Sequence, residues 1–130
     1  MSEPPKWLGE QITQIIHEQS LAQHGGVEGL RDAGALESAL AYPQNLFAYE
    51  DAKLERLAAG YLFAICKAHA FIDGNKRTAW AAMRTFLIIN GAELKYNALE
   101  AIRFVEQVAA SILDFEDVSA WIGERINTQK

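Results

Sequence analysis

Two stretches of the chain, residues 54–68 and 78–90, consist mostly of apolar residues, and a short polar segment separates them. A helix that is apolar on nearly every side belongs in the centre of a helical bundle. We therefore predict two central helices, over residues 53–68 and 77–90, with Gly91 ending the second. The polar segment then links two buried helices.

Two further helices and a flap are predicted before the first central helix. Residues 10–23 carry Ile12, Ile15 and Ile16 at helical spacing. Asp32 can cap a second helix, which Pro43 closes because proline lacks the amide hydrogen that a helix interior needs. Residues 44–51 show no helical period, so an extended flap with one small hairpin is predicted there. Its two aromatic residues either offer an edge to an extended peptide or belong to the core: Phe47 and Tyr49.

The C-terminal part of the chain predicts two more helices. Asn97, with Glu100 three positions later, resembles a capping box that opens a fifth helix, in which Ile102, Val105 and Val108 face inward. A sixth helix is predicted from about Asp114. The predicted fold is therefore all-α: a compact bundle of about six helices with a short flap or hairpin, forming a single domain over residues 1–130.

Composition and charge narrow the range of functions. The formal net charge is −5, and a nucleic-acid partner would favour a basic face, so direct nucleic-acid binding is not expected. The single cysteine, Cys66, excludes an internal disulfide and a multi-cysteine zinc site. Residues 1–6 lack the apolar stretch of a signal peptide, and no uncharged segment is long enough to span a membrane. We expect a soluble, cytoplasmic protein.

The polar link carries the most informative chemistry. Residues 69–77 read HAFIDGNKR and combine an imidazole, a carboxylate, a carboxamide and two cations. A helix that begins near Asn75 would direct free amide groups and the positive end of its dipole at an anion. Lys76 and Arg77 add full positive charges, and Asp73 could hold Mg²⁺ between phosphates. The segment therefore suits phosphate chemistry.

This segment, with the two residues after it, resembles the signature of the Fic/Doc superfamily, and within it that of the Doc (death-on-curing) toxins. The similarity extends beyond the motif to Gly25-Gly26, GLRD at 29–32, LESAL at 36–40, Pro43-Gln44 and Asn90-Gly91. It covers roughly residues 10–110, and a nine-residue motif is a specific signal.

Three departures from the pattern of AMP-transferring Fic enzymes indicate the subclass. Those enzymes usually carry proline, glycine and a second arginine where this chain has Ala70, Lys76 and Trp80. Lys76 is the Doc-like residue, and its side chain would intrude on the glycine-lined nest that holds the α-phosphate in the AMP-transferring branch. The resemblance implies a protein kinase that transfers the γ-phosphate of ATP to a threonine of elongation factor Tu and so arrests translation. AMP transfer to a protein hydroxyl is the alternative, and a Phd-like antitoxin is the implied partner.

The resemblance also suggests roles for the motif residues. His69 is the predicted general base, although a histidine at a helix end also interacts favourably with the carbonyl dipole. Phe71 is a structural residue whose buried ring fixes the loop. Asp73 is the predicted Mg²⁺ ligand, and its competing role is to cap the next helix.

The end of the motif is predicted to bind the nucleotide phosphates. Gly74 supplies a backbone conformation that allows a close approach to phosphate. Asn75 orients a phosphate or the loop, or alternatively caps the helix. Lys76 and Arg77 neutralise the phosphoryl oxygens, which makes both catalytic as well as phosphate-binding. Arg77 is the better bidentate ligand.

Three residues outside the motif remain without a catalytic role in this interpretation. Arg31 either approaches the loop or closes its own turn, and the turn is favoured. His17 and His24 have no partnered spacing, so they are expected to be solvated or bonded locally.

Overall fold

The computed structural model describes residues 3–128, which form six helices and two short strands. These elements are α1 (Glu10–His24), α2 (Ala33–Glu50), α3 (Leu54–Ala68), α4 (Asn75–Ile89), β1 (Ala92–Leu94), α5 (Ala98–Ala109), α6 (Phe115–Arg125) and β2 (Ile126–Thr128). The predicted all-α bundle of about six helices is confirmed. The predicted single domain over residues 1–130 also includes residues 1, 2, 129 and 130, which lie outside the described residues.

Helices α3 and α4 form the centre of the bundle, as their apolar sequences predict. Helix α3 packs against α2, α4 and α6, and α4 also packs against α1 and β1. The largest fully buried side chains come mainly from these two helices, among them Tyr61, Leu62, Ile65, Met83, Phe86 and Leu87. Cys66 is buried within α3.

The predicted flap at residues 44–51 is wrong, because α2 continues through Pro43 as far as Glu50. Pro43 is buried and packs beside Gly60 of α3, where a Cβ atom would lie 3.4 Å from the proline Cγ. This close approach of α2 to α3 buries apolar surface that offsets the hydrogen bond lost at the proline. Phe47 packs against the core, whereas Tyr49 is 87% exposed.

The short pair of strands lies at a different place from the predicted hairpin. Strands β1 and β2 pair antiparallel, with Ala92 opposite Thr128 and Leu94 opposite Ile126. They follow α4 and α6 respectively, so the pairing joins segments that are distant in sequence.

The inward faces of two helices also differ from the sequence pattern. Ile12 and Ile15, whose spacing indicated α1, are largely exposed, and the buried residues of α1 are Thr13, His17, Ser20 and Leu21. Helix α1 packs against α4, and His17 contacts the polar loop before α4, so hydrogen-bonding side chains occupy this interface. In α5, Val105 and Val108 are buried as predicted, but Ile102 is 57% exposed.

The predicted starts of α2, α5 and α6 are confirmed, and each has a side-chain cap. The second central helix begins at Asn75, two residues before the predicted range. The Asp32 carboxylate accepts a hydrogen bond from the Ala35 amide, and the Asn97 side chain accepts from the Leu99 and Glu100 amides. Asp114 opens α6 with a complete capping box. No helix within residues 3–128 is both long and apolar enough to cross a membrane.

Candidate active site

The motif forms a tight loop between α3 and α4, and two residues with a left-handed backbone conformation determine the path of the chain. His69 ends α3 with φ 49°, and Gly74 precedes α4 with φ 76°. A positive φ favours glycine, so Gly74 has the backbone conformation that was predicted for it. The side chains of His69, Asp73, Lys76 and Arg77 are exposed, so the loop presents one imidazole, one carboxylate and two cations at the surface.

Phe71 anchors this loop, as predicted. Its side chain is 2% exposed, and its backbone is held at both polar atoms by the Asn75 carboxamide. The Phe71 amide donates to Asn75 Oδ1 at 3.0 Å, and Asn75 Nδ2 donates to the Phe71 carbonyl oxygen at 2.9 Å. Of the roles considered for Asn75, the structure shows the one that orients the loop, and Gly74 is the residue at the N-cap position.

A second segment, residues 29–32, packs beside the loop and is hydrogen-bonded to it. Backbone hydrogen bonds join the two segments: Arg31 N to Ala70 O at 2.7 Å, Asp32 N to Ala70 O at 3.0 Å, and Ile72 N to Gly29 O at 3.0 Å. The Arg31 guanidinium also donates to the His69 carbonyl oxygen at 2.7 Å. Arg31 therefore approaches the loop, and the favoured interpretation that it only closes its own turn is wrong.

His17 supports the loop from α1, and the expectation that it is solvated or locally bonded is wrong. It is 4% exposed, its ring stacks on Phe71 with centroids 3.9 Å apart, and Nε2 lies 2.8 Å from the Asp73 carbonyl oxygen. The sequence did contain one indication of this burial: His17 lies one helical turn from both Thr13 and Leu21, on a face of α1 that combines polar and apolar residues. His24, at the end of the same helix, is exposed.

The Asp73 carboxylate is held by backbone amides without capping α4. Oδ1 accepts from the Gly74 amide at 2.9 Å, and Oδ2 accepts from the Val27 amide at 3.2 Å. Gly26 leaves space for this carboxylate, because a Cβ atom there would lie 2.9 Å from Oδ2. Each oxygen retains a lone pair, and the residue is exposed.

This donor set fits Mg²⁺ better than a metal that needs an all-protein cage. Residues 3–128 contain no group of three or more His, Cys, Asp or Glu side chains that could hold a metal ion. Mg²⁺ commonly binds through one or two carboxylates and substrate phosphates, and it retains several waters. A single accessible carboxylate beside a helix start satisfies that pattern.

The start of α4 combines two sources of positive potential. No side chain caps its first turn, so its amide groups remain directed outward from the helix end. Lys76 and Arg77 lie in this turn, and neither forms a salt bridge within the part of the chain that the structure describes. The arrangement can therefore accommodate an anion such as a phosphate.

Comparisons with known proteins indicate the family of the chain. The sequence model of the Fic/DOC family matches residues 7–87, which include the whole loop. Over 100 residues the chain is 40% identical to Toxin Doc of Mycolicibacterium smegmatis, covering 74% of this chain and 77% of that protein. Over 80 residues it is 35% identical to Protein kinase doc of Escherichia phage P1, covering 61% of this chain and 64% of that protein. The chain belongs to the Doc toxin family of the Fic/Doc superfamily.

Proposed function

We propose that this protein is the toxin of a toxin–antitoxin pair and acts as a protein kinase. It transfers the γ-phosphate of ATP to a threonine of elongation factor Tu and thereby arrests translation. Family membership supports a toxin with transferase activity, and the phage relative carries the name of a protein kinase. The observation that carries the kinase assignment is the Lys76 side chain in the first turn of α4, where AMP-transferring relatives have glycine.

The loop supplies the groups that this reaction needs. His69 takes the proton from the threonine hydroxyl as the hydroxyl oxygen attacks the γ-phosphorus. The bond between the γ-phosphorus and the β–γ bridging oxygen breaks, and ADP leaves with the electron pair. Lys76 and Arg77 neutralise negative charge on the phosphoryl oxygens throughout this exchange.

Asp73 is the proposed residue for Mg²⁺. Its carboxylate is exposed and fixed by two backbone amides, so it offers a hard oxygen ligand in a defined place. Bound Mg²⁺ supplies positive charge at the phosphates. Because ATP and a translation factor are the proposed substrates, a cytoplasmic location is part of the same proposal.

Labelled ATP tests the reaction directly. The purified protein is incubated with elongation factor Tu, Mg²⁺ and ATP carrying the label at either the γ- or the α-phosphate. The expected result is γ-label on a threonine of the factor. Transfer of the α-label would establish AMP transfer instead, and transfer of neither label would contradict the proposal.

Variants of the loop test the assigned roles. His69→Ala is expected to lower the transfer rate by about 10²–10⁴-fold, the usual contribution of a general base. Asp73→Ala and Arg77→Ala should also abolish growth arrest while the melting temperature stays close to that of the parent. His24→Ala and Arg103→Ala are matched controls, since both residues are exposed and lie outside the loop. A fully toxic His69→Ala variant would exclude the proposed base.

The proposed partner is a Phd-like antitoxin whose disordered C-terminal segment folds on a groove of the toxin. Several large apolar side chains are exposed and available for such contacts, including Ile88, Leu99, Ile102 and Ile112. Antitoxin at about 100 times its Kd should add roughly 2.7 kcal/mol to the free energy of unfolding. An unchanged melting temperature with antitoxin in excess would count against this pairing.

A further inference from the structure

His17 joins two parts of the loop from a different helix. Its imidazole is buried, lies nearly parallel to the Phe71 ring at an interplanar angle of 11°, and reaches the Asp73 carbonyl oxygen with Nε2. Gly74 packs against the same edge of the ring, because a Cβ atom there would lie 3.7 Å from Nε2. One side chain of α1 therefore touches the anchor of the loop and the residue assigned to the metal ion.

The contact with Asp73 requires that Nε2 of His17 is the donor. A carbonyl oxygen can only accept a hydrogen bond, so Nε2 must carry a proton at the observed separation of 2.8 Å. The bond acts on the backbone of Asp73, and it leaves both carboxylate oxygens available to other partners.

We propose that His17 is a positioning residue for the transfer reaction: its Nε2–H fixes the Asp73 peptide group and thereby the place of the Asp73 carboxylate. This inference rests on the proposed function. His17 does not touch the reacting atoms in this scheme. It acts through Asp73, the residue proposed to bind Mg²⁺.

The surrounding contacts explain why this hydrogen bond affects the position of the Asp73 carboxylate. Asp73 is followed by Gly74, a residue with wide backbone freedom, so the peptide group between them is poorly restrained by local chain geometry. The carboxylate is otherwise tied to the Gly74 amide itself and to the amide of Val27, an exposed residue, at 3.2 Å. Loss of the His17 bond would therefore free the peptide group to rotate and displace the carboxylate.

A buried aromatic ring would also stabilise the fold without any role in positioning, and substitutions separate the two effects. His17→Phe keeps an aromatic ring for stacking on Phe71 but removes the donor. His17→Gln removes the ring but retains an amide donor at a position similar to Nε2. Thr13→Ala is the control for general damage to this face of α1, because Thr13 is fully buried and its hydroxyl donates to the carbonyl oxygen of Gly9, the N-cap residue of the same helix.

The readouts are the transfer rate and the Mg²⁺ concentration that gives half of the maximal rate. His17→Phe is expected to lower the rate by roughly 10–10²-fold, as a displacement of about 1 Å can, and to raise the Mg²⁺ requirement. His17→Gln should recover part of both losses although it disturbs the stacking more. Thr13→Ala should lower the melting temperature without altering the Mg²⁺ requirement. If His17→Phe keeps the Mg²⁺ requirement of the parent, or if His17→Gln is no better than His17→Phe, the positioning role is wrong.

A measurement on the unaltered protein keeps the inference separate from the proposed activity and from any folding defect of the variants. Nitrogen-15 NMR of the His17 ring should show Nε2 protonated, and the Ile72 and Gly74 amides should exchange slowly with solvent. An unprotonated Nε2 would overturn the inference whatever the enzyme does. If the ring has the expected proton but the parent protein transfers no label, then the proposed function is wrong. The contact between His17 and Asp73 would then serve only to stabilise the loop.

Discussion

Substitution of Asn75 by alanine tests whether this residue mainly holds the loop or mainly binds phosphate. The structure places its carboxamide on both polar backbone atoms of Phe71, at 3.0 Å and 2.9 Å. Phe71 is 2% exposed, so water has poor access to these groups once the carboxamide is removed. We therefore expect the variant to be destabilised even without any nucleotide.

The magnitude follows from the two groups left without partners. An unsatisfied buried donor or acceptor costs about 1–3 kcal/mol, so the loss of both bonds should lower the free energy of unfolding by roughly 2–6 kcal/mol. A domain of this size commonly has about 5–15 kcal/mol of stability, so we expect the variant to fold without urea but to unfold at a clearly lower urea concentration than the parent. Asn75→Asp should also be destabilised, because a carboxylate can accept from the Phe71 amide but has no donor for the Phe71 carbonyl oxygen.

Urea denaturation of the nucleotide-free protein measures the effect. Asn45→Ala is the matched control, since Asn45 is exposed on α2, and its removal should change stability by no more than about 0.5 kcal/mol. If Asn75→Ala unfolds at the same urea concentration as the parent but has a raised KM for ATP, then Asn75 serves the nucleotide and the structural argument is refuted.

Three further predictions concern residues around the core and the loop. Burial raises the pKa of Tyr61 to about 12 from an ordinary value of about 10. The stability that this phenol contributes is therefore complete below pH 10 and is lost as the pH rises from 10 to 12. Urea denaturation of Tyr61→Phe should not show this loss of stability at alkaline pH. The Thr78 hydroxyl is buried and has no hydrogen-bond partner within residues 3–128, so Thr78→Val should raise the unfolding free energy by up to about 1 kcal/mol, and a loss of stability would contradict this. Arg31→Ala removes the bond to the His69 carbonyl oxygen and should slow phosphate transfer about tenfold, whereas Arg31→Lys should retain part of the rate. Equal activity of the parent and both variants would exclude a role of Arg31 in placing His69.

The sequence predicted the elements whose signal is local. The two central helices follow from long apolar runs, and the caps at Asp32 and Asn97 follow from short polar side chains that accept from nearby amides. The loop was placed correctly because polar residues between two apolar runs leave little choice of position. The role of Phe71 followed from the family resemblance, and the structure confirms it.

The wrong predictions arise where packing between distant segments decides the outcome. The cost of proline inside a helix argued for a break at Pro43, but contact with α3 at Gly60 favours a continuous α2. The isoleucine spacing in α1 suggested an apolar face, whereas the interface with the polar loop needs donors and acceptors. Ile12 therefore faces outward and His17 inward. Neither effect is visible in a local window of sequence.

The contacts of the loop explain how its exposed polar side chains can still have fixed positions. His69 adopts a left-handed conformation that costs roughly 1–2 kcal/mol for a residue other than glycine, so the surrounding structure must enforce it. The Arg31 guanidinium holds the carbonyl group of His69, and the His17 imidazole holds that of Asp73. These ties act on the backbone, which leaves the imidazole of His69 and the carboxylate of Asp73 free to meet substrates. Under the proposed function, in which His69 is the base and Asp73 the metal ligand, groups held in this way need little rearrangement on nucleotide binding. The rate of transfer should then depend on α1 and on residues 29–32 as much as on the motif itself.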